Sequence, residues 1–269
     1  MPTDYLIIDA FTDTAFTGNP AAVVPLTRPA DAAWMQLVAN EFNLAETAFV
    51  HPQGDDGSTW HLRWFTPTVE VALCGHATLA SAAALWRLKL APAAPIRFLT
   101  KSGALFAAAD GGRIVLDFPA VPCTEIPVRA DLAAALGVHI VRCGANGMDL
   151  LAEVADATTV KHLRPDLAAL KALQVRGIMV TAAGDPGSGY DIVSRFFAPS
   201  AGIDEDPVTG SAHCALMPWW VPRSGRDRLV CRQLSARGGT LHCRLRGDRV
   251  DLGGNAVVVA EGRLLSDPE

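Results

Sequence analysis

The chain has 269 residues, of which 50% are hydrophobic, and its 28 acidic and 23 basic residues give a formal net charge of −5. A chain of this length and composition can bury roughly three quarters of its unfolded surface in one large or two modest cores, which excludes a disordered or fibrous protein. No Lys/Arg run could follow a phosphate backbone, no apolar stretch approaches the ~20 residues of a bilayer span, and no basic segment resembles the start of a signal peptide. We therefore expect a cytoplasmic protein without nucleic-acid or membrane partners.

The first half of the chain contains aromatic or β-branched runs and two segments of helical character. The run at residues 60–65 is closed by Pro67, which cannot continue a strand ladder. The helix predicted over residues 75–90 is apolar nearly all round, as a helix surrounded by protein would be, whereas the helix over residues 31–41 is amphipathic. The remaining strands of this half are predicted at residues 5–10, 21–25, 45–50, 96–100 and 113–118.

The second half has the same kinds of element. An apolar helix begins at Gly210 and is expected to be cut short by Pro218, and an amphipathic helix is predicted over residues 163–173. Gly238-Gly239 and Arg246-Gly247-Asp248 indicate hairpin turns, so this end of the chain is expected to be antiparallel. The strands are predicted at residues 150–154, 176–181, 192–197, 229–236, 240–245, 249–252 and 256–260.

A sequence pattern occurs once in each half. Arg63-Trp64-Phe65-Thr66-Pro67 reads Arg, aromatic, Phe, small, Pro, and Arg195-Phe196-Phe197-Ala198-Pro199 repeats it. Each copy is followed by a loop and then by a glycine that opens an apolar helix, Gly75 in the first half and Gly210 in the second. The repeat predicts an α+β fold with two pseudo-symmetric lobes, 1–120 and 121–269, each a curved, mostly antiparallel sheet around a central apolar helix.

The two glycine-led helix starts suggest a binding site. The first backbone amides of a helix lack partners inside the helix and lie at the positive end of its dipole. A cleft between the lobes with one helix start on each side would bind a carboxylate group without any arginine. The alternative is that both are ordinary helix starts without a ligand.

Three side chains near these starts are candidates for proton transfer. Glu46 lies in a small, apolar strand, where burial would make it a candidate general base; the alternative is a solvent-facing position. His76 follows Gly75, where the helix dipole favours the neutral imidazole that can shuttle a proton, and a structural hydrogen-bond donor is the alternative. Asp206 precedes Pro207 and is either a rigidly held carboxylate beside the anion site or, with its acidic neighbours, a helix cap.

The six cysteines form no Cys-x-x-Cys pair, so we expect free thiols packed as small hydrophobic groups. Cys74 directly precedes Gly75 and bears on the mechanism. A racemase that exchanges a Cα proton between two thiols needs one cysteine from each lobe, but Thr209 occupies the matching position and Cys214 lies a helical turn further on. The spacing of the histidines and the lack of glycine-rich nucleotide motifs predict neither a metal nor a cofactor.

Several blocks of the sequence resemble the PhzF-like isomerases of phenazine biosynthesis, in the order in which that family has them. The most specific blocks contain a Gly-His-Ala-Thr motif and an Asp-Pro-Val-Thr-Gly-Ser-Ala motif. The matching segments are Ile8 to Thr12, Phe16 to Val24, Asn43 to Phe49, Arg63 to Pro67, Cys74 to Thr78, Gly202 to His213 and Gln233 to Gly239.

The resemblance implies the diaminopimelate-epimerase-like fold and a cofactor-independent proton shift on a small carboxylate-bearing substrate, usually in a homodimer. By position, Glu46 would remove and return a carbon-bound proton, while His76, Asp206 and Ser211 would handle or orient the others. The substrate contacts would come from Asn19, Gly75, Thr209 and Gly210.

The sequence therefore predicts a PhzF-like isomerase with Glu46 as general acid/base, which moves a hydrogen over a 1,3 or 1,5 distance next to a carboxylate. Two alternatives stay open. An amino-acid racemase or epimerase on the same fold is disfavoured by Thr209. A non-catalytic ligand-binding or scaffold protein would not need Glu46, His76, Asp206 and Ser211 together.

Overall fold

A computed structural model describes residues 3–54, 56–92 and 95–268 as an α+β protein, which confirms the predicted fold class. The contacts between residues divide the chain into two compact units. Unit 1 is Met1–Asp117 with Gly253–Glu269, and unit 2 is Phe118–Leu252. Within the described residues, no helix is long and apolar enough to cross a membrane.

The described residues form eighteen strands and six α-helices. The strands are β1 (Thr3–Ala10), β2 (Asn19–Pro25), β3 (Glu46–Pro52), β4 (Thr59–Phe65), β5 (Glu70–Val71), β6 (Ile96–Thr100), β7 (Gly103–Asp110), β8 (Arg113–Pro119), β9 (Thr124–Ile126), β10 (Arg142–Ala145), β11 (Asp149–Glu153), β12 (Gly177–Ala183), β13 (Ile192–Ala198), β14 (Ile203–Asp206), β15 (Arg228–Gln233), β16 (Gly239–Arg246), β17 (Arg249–Gly254) and β18 (Ala256–Leu264). The helices are α1 (Ala32–Phe42), α2 (Gly75–Arg87), α3 (Ala130–Leu136), α4 (Ala157–His162), α5 (Leu167–Ala172) and α6 (Gly210–Ser224).

Unit 1 is built on one mixed sheet. β1 lies between β18 and β2 and is antiparallel to both. β3 is parallel to β2 and antiparallel to β4, and β4 is parallel to β6 and antiparallel to the short β5. β7 pairs antiparallel with β6 and β8. Most pairs are therefore antiparallel, and the two parallel pairs are those that need a crossover connection.

Unit 2 has a sheet with the same succession of pairs. β10 is antiparallel to β9 and β11, β11 is parallel to β12, and β12 is antiparallel to β13. β13 is parallel to β15 and antiparallel to the short β14, and β15 is antiparallel to β16, as the hairpin signal predicts. From β10 to β16, antiparallel and parallel pairs alternate as they do from β1 to β7.

The repeated Arg-aromatic-Phe-small-Pro pattern occupies the same place in both sheets. In β4, Arg63 makes a bidentate ion pair with Glu70 at 2.8 and 2.9 Å. In β13, Arg195 makes the same pair with Glu205 at 2.7 and 2.8 Å. Each guanidinium also lies over the ring of the Phe two residues later, at 5.2 and 4.9 Å. The acidic partners belong to β5 and β14, so short strands fold back where the sequence predicts only loops.

Helix α2 packs against β1, β2, β3, β7 and β18, and most of its residues are buried, as its apolar sequence predicts. Its hydroxyl groups bond within the helix, which lets them lie in apolar surroundings. The Thr78 hydroxyl donates to the Cys74 carbonyl at 2.5 Å, and the Ser81 hydroxyl donates to the Ala77 carbonyl at 2.7 Å. The hydroxyl groups of α2 therefore need no hydrogen-bond partner from the sheet on which the helix packs.

Helix α6 continues through Pro218 to Ser224, so the prediction that Pro218 ends it is wrong. A proline inside a helix leaves the carbonyl four residues earlier without its helical N–H donor. Here that carbonyl, of Cys214, accepts a hydrogen bond from the backbone N–H of Val121 at 3.0 Å. Because a neighbouring segment replaces the lost bond, the helix extends to Gly225, whose φ of 67° closes it.

Two other expectations differ from the structure. The helix predicted from residue 163 begins only at Leu167, because Pro165 disfavours helical backbone before it and the Asp166 side chain caps the Ala169 amide at 3.0 Å. The predicted division at residue 120 places the carboxyl end with the second lobe, whereas β18 pairs with β1 and is grouped with unit 1. Hydrophobic patterning identifies a strand but not its pairing partner.

Candidate functional site

In unit 1, three predicted site residues lie at the beginnings of neighbouring elements. Asn19 is the first residue of β2 and Glu46 is the first residue of β3. These strands are parallel, with Ala21 opposite Glu46, so their starts lie at the same end of the sheet. Helix α2 packs against both strands, and His76 is its second residue. The fold therefore brings Asn19, Glu46 and His76 together.

The His76 imidazole has a polar neighbour at each of its nitrogens. Nε2 lies 3.1 Å from Oε2 of Glu46. The Asn19 side-chain amide donates to Nδ1 at 3.1 Å, and Sγ of Cys74 lies 3.5 Å from the same nitrogen. Because Nδ1 accepts from Asn19, the proton of the neutral ring belongs on Nε2, facing Glu46. Side-chain exposure is 6% for His76 and 12% for Glu46, so both groups are largely shielded from solvent and the carboxylate keeps a small exposed surface.

Burial and charge act together on the titratable groups of this site. Burial, reinforced by the nearby Glu46 carboxylate, raises the pKa of the Cys74 thiol, so the thiol is protonated at neutral pH. Burial lowers the pKa of the His76 imidazole, but the interactions with Cys74 and with the Glu46 carboxylate outweigh burial, and the His76 pKa is raised well above its ordinary value. Both groups therefore bind a proton more tightly than the free side chains do in water.

Glu46, Cys74 and His76 also bring the atom types that bind zinc within 4.8 Å of one another. The nearest ring nitrogen differs for the two acidic groups, since the thiol lies next to Nδ1 and the carboxylate lies next to Nε2. Nδ1 already accepts the Asn19 amide. The thiol and the carboxylate therefore approach the His76 ring at different nitrogens, so each can interact with the ring separately.

Both predicted anion-binding helix starts lack a capping side chain. Cys74 precedes α2 and Thr209 precedes α6, and for the described residues neither makes a side-chain hydrogen bond to the helix amides. Neither helix has an acidic residue in its first turn. The first amides of α2 and α6, beginning at Gly75 and Gly210, therefore retain the donor capacity and partial positive charge that bind an anion.

In unit 2, the loop before α6 is locked by a buried glutamine. The Thr209 hydroxyl donates to Oδ2 of Asp206 at 2.6 Å. The Thr209 backbone N–H donates to Oε1 of Gln233 at 2.9 Å, and Nε2 of Gln233 donates to the Asp206 carbonyl at 2.6 Å. Gln233 is fully buried. Asp206 is thus held by Thr209 and does not cap α6, so the capping alternative does not describe it.

The eight predicted site residues fall into two groups by unit. Ser211 is half-buried in the first turn of α6, next to the buried Gly210. Unit 1 contains Asn19, Glu46, Gly75 and His76, and unit 2 contains Asp206, Thr209, Gly210 and Ser211.

Two contributors were not recognised as site residues from the sequence. Gln233 was part of a matching block without a role, although the alternation of β15 places it on the same buried face as Leu229 and Cys231, and a buried amide needs partners. Cys74 was expected to be a packed thiol, and its contact with the His76 ring requires the structure, because the backbone path into α2 decides where the side chain points.

Known proteins resemble the chain over nearly its whole length. A family model of phenazine biosynthesis-like proteins matches residues 8–262. An isomerase from Pseudomonas aeruginosa, described as uncharacterized, is 47% identical over 98% of this chain and 99% of its own length. The crystal structure of a PhzF-family phenazine biosynthesis protein from Enterococcus faecalis matches with a TM-score of 0.94 and 42% identity, covering 99% of this chain and 100% of that one. A hydroxyproline epimerase from Agrobacterium vitis, with a TM-score of 0.66, 12% identity and coverage of 99% and 94%, shares the fold alone.

Proposed function

The chain belongs to the phenazine biosynthesis-like protein family, which includes isomerases, and from this premise we propose that it catalyses a proton shift between two carbon atoms of a small carboxylic acid. In this proposal Glu46 is the general acid/base, and no cofactor takes part.

The Glu46–His76–Asn19 group carries the proposal. Glu46 has a side chain that is 12% exposed and lies 3.1 Å from an imidazole, so a substrate carbon that reaches it meets a carboxylate shielded from water. Asn19 holds the ring through Nδ1, which keeps Nε2 turned toward Glu46. The Nε2–H of His76 therefore faces the Glu46 carboxylate and can orient it toward the substrate proton that it removes. Such a positioned base contributes about 10²- to 10⁴-fold to the rate.

The substrate class follows from the charge next to this group. The uncapped start of α2 places backbone N–H donors immediately beside His76. A substrate carboxylate bound there would have its reacting carbon near Glu46, and no arginine would be needed to hold it. A carboxylate next to the reacting carbon also stabilises the negative charge that proton removal leaves on the substrate.

Two parts of the proposal rest on the family resemblance. Asp206 and Ser211 would transfer or orient protons other than the one that Glu46 removes. Asp206→Asn and Ser211→Ala should therefore fold but have a lower kcat than wild type. The protein is assigned a homodimeric state, which predicts a molar mass by light scattering of twice that of the chain. A monomeric mass, or wild-type kcat in both variants, would contradict these parts.

The two-thiol racemase reaction has no second thiol in the required position. Thr209 occupies that position, and its hydroxyl donates to Asp206. Burial raises the pKa of Cys214 to about 12, so its thiol does not ionise readily. Deuterium exchange at Cα of an amino acid would nevertheless favour an epimerase and is included in the test below.

The experiment that tests the proposal is a screen for solvent deuterium uptake. Aromatic and dienyl carboxylic acids, together with amino acids, are incubated with the protein in D₂O and followed by NMR, with Glu46→Gln as the control. We expect one or more of the carboxylic acids to gain deuterium and to isomerise with the wild-type protein only. Uptake that is equally fast with Glu46→Gln, or no uptake into any acid, would refute the proposal.

A further inference from the structure

The Glu46/His76 site contains a third group that can carry a proton and that the proposed function does not use. Sγ of Cys74 lies 3.5 Å from Nδ1 of His76, and the thiol, the imidazole and the Glu46 carboxylate lie within 4.8 Å of one another. Cys74 is 7% exposed. Three groups that can each gain or lose a proton thus surround one small, shielded region.

The position of Cys74 gives a thiol little structural purpose. It is the residue before the first turn of α2, where Ser, Thr, Asp or Asn stabilises a helix through a capping hydrogen bond. Cys74 makes no such bond. Thr209, at the matching place before α6, also does not cap its helix and instead donates to a carboxylate. Both positions direct the side chain toward titratable groups.

The Cys74 thiol and the Glu46 carboxylate have complementary protonation states, one as a proton donor and the other as a proton acceptor. Burial and the Glu46 charge keep the Cys74 thiol protonated, so it can give a proton, while the Glu46 carboxylate can take one. The His76 ring lies between them, within 3.5 Å of each. A proton shift between two carbon atoms needs one group of each kind at the same time.

Resting on the proposed function, we propose that Cys74 is the acid that delivers a proton to the second carbon of the substrate. Glu46 removes a proton from the first carbon, whose C–H electron pair moves into the conjugated system. The Cys74 S–H bond breaks as a C–H bond forms at the second carbon, which leaves a thiolate. After the product leaves, Glu46 releases its proton to water and the thiolate takes a proton from water, so the groups return to their starting state and no other reactant is consumed.

Uncoupling of the two proton transfers tests the role of Cys74. The probe is the panel acid that the wild-type protein isomerises fastest, in D₂O, with Cys74→Ala, Cys74→Ser and, as a matched buried control, Cys143→Ala. In Cys74→Ala we expect isomerisation to fall at least 10-fold while Glu46 still exchanges the hydrogen of the first carbon. Cys74→Ser, which keeps a hydroxyl donor, should recover part of the isomerisation, and Cys143→Ala should behave as wild type.

The two reactions separate a chemical role from a structural one. A merely structural loss would lower exchange and isomerisation equally, and that result, or wild-type isomerisation in Cys74→Ala, would overturn the proposal. Glu46→Gln should lose both reactions, which distinguishes failure of the thiol step from failure of the proposed function.

Discussion

The His213 imidazole in α6 is fully buried, and its charge state makes the stability of the protein depend on pH. Nδ1 lies 2.8 Å from the Thr209 carbonyl, so the neutral ring donates there. No hydrogen-bond partner reaches Nε2 from the described residues. A second ring proton would thus be buried without an acceptor, and burial lowers the pKa of His213 to about 4, although the bond to Thr209 opposes this shift.

The magnitude follows from the difference between the folded and unfolded pKa values. The unfolded chain takes up this proton near pH 6.5 and the folded protein only near pH 4. Between these values the unfolded state binds more protons, so folding stability falls as the pH falls. Each unit of pKa difference corresponds to about 1.4 kcal/mol, so acidification from pH 7 to 4 should cost about 3 kcal/mol through this one residue.

The assay is urea unfolding at pH 7 and pH 4 for the wild-type protein, His213→Asn and a control, His139→Asn, at an exposed site of the same unit. The asparagine amide can replace Nδ1 as donor to Thr209 but does not titrate. We expect His213→Asn to lose about 3 kcal/mol less than wild type between the two pH values, and His139→Asn to follow wild type. Equal losses in wild type and His213→Asn would refute the assignment of a neutral, buried imidazole.

Two further predictions concern unit 2. Gln233→Leu leaves buried partners such as the Thr209 N–H unpaired, so it should lower the free energy of unfolding, measured with urea, by about 2–5 kcal/mol. A variant as stable as wild type would contradict the claim that Gln233 holds the loop before α6. Glu153→Gln should lower the free energy of unfolding by about 3 kcal/mol, because this buried carboxylate holds the Arg223 guanidinium at 2.8 and 2.9 Å. Glu125→Gln, at an exposed ion pair, should have a much smaller effect, and equal losses in the two variants would contradict the role given to burial.

Much of the fold was predictable because local sequence patterns decide it. The aromatic run of β4, the hairpin between β15 and β16, and the apolar α2 each have a signal that does not depend on distant residues. The parallel pairing of β2 with β3 has no such signal, yet it is what brings Asn19 close to Glu46.

The elements that were not predicted depend on contacts between distant segments. Helix α6 passes Pro218, where the distant Val121 supplies a donor to the Cys214 carbonyl. The short strands β5 and β14 each carry the glutamate that pairs with the arginine of β4 or β13. The repeated arginine is visible in the sequence, but its glutamate partner is not. The Gln233 lock joins a strand to a loop far earlier in the chain.

The most direct test of the central claim compares kcat and binding for Glu46→Gln with the panel acid that the wild-type protein isomerises fastest. The matched control is Glu41→Gln, an exposed glutamate in the neighbouring α1. If Glu46 is the general acid/base, Glu46→Gln binds the acid with a Kd close to that of wild type while kcat falls by about 10² or more, and Glu41→Gln is unaffected. A kcat for Glu46→Gln within a few-fold of wild type would contradict the account.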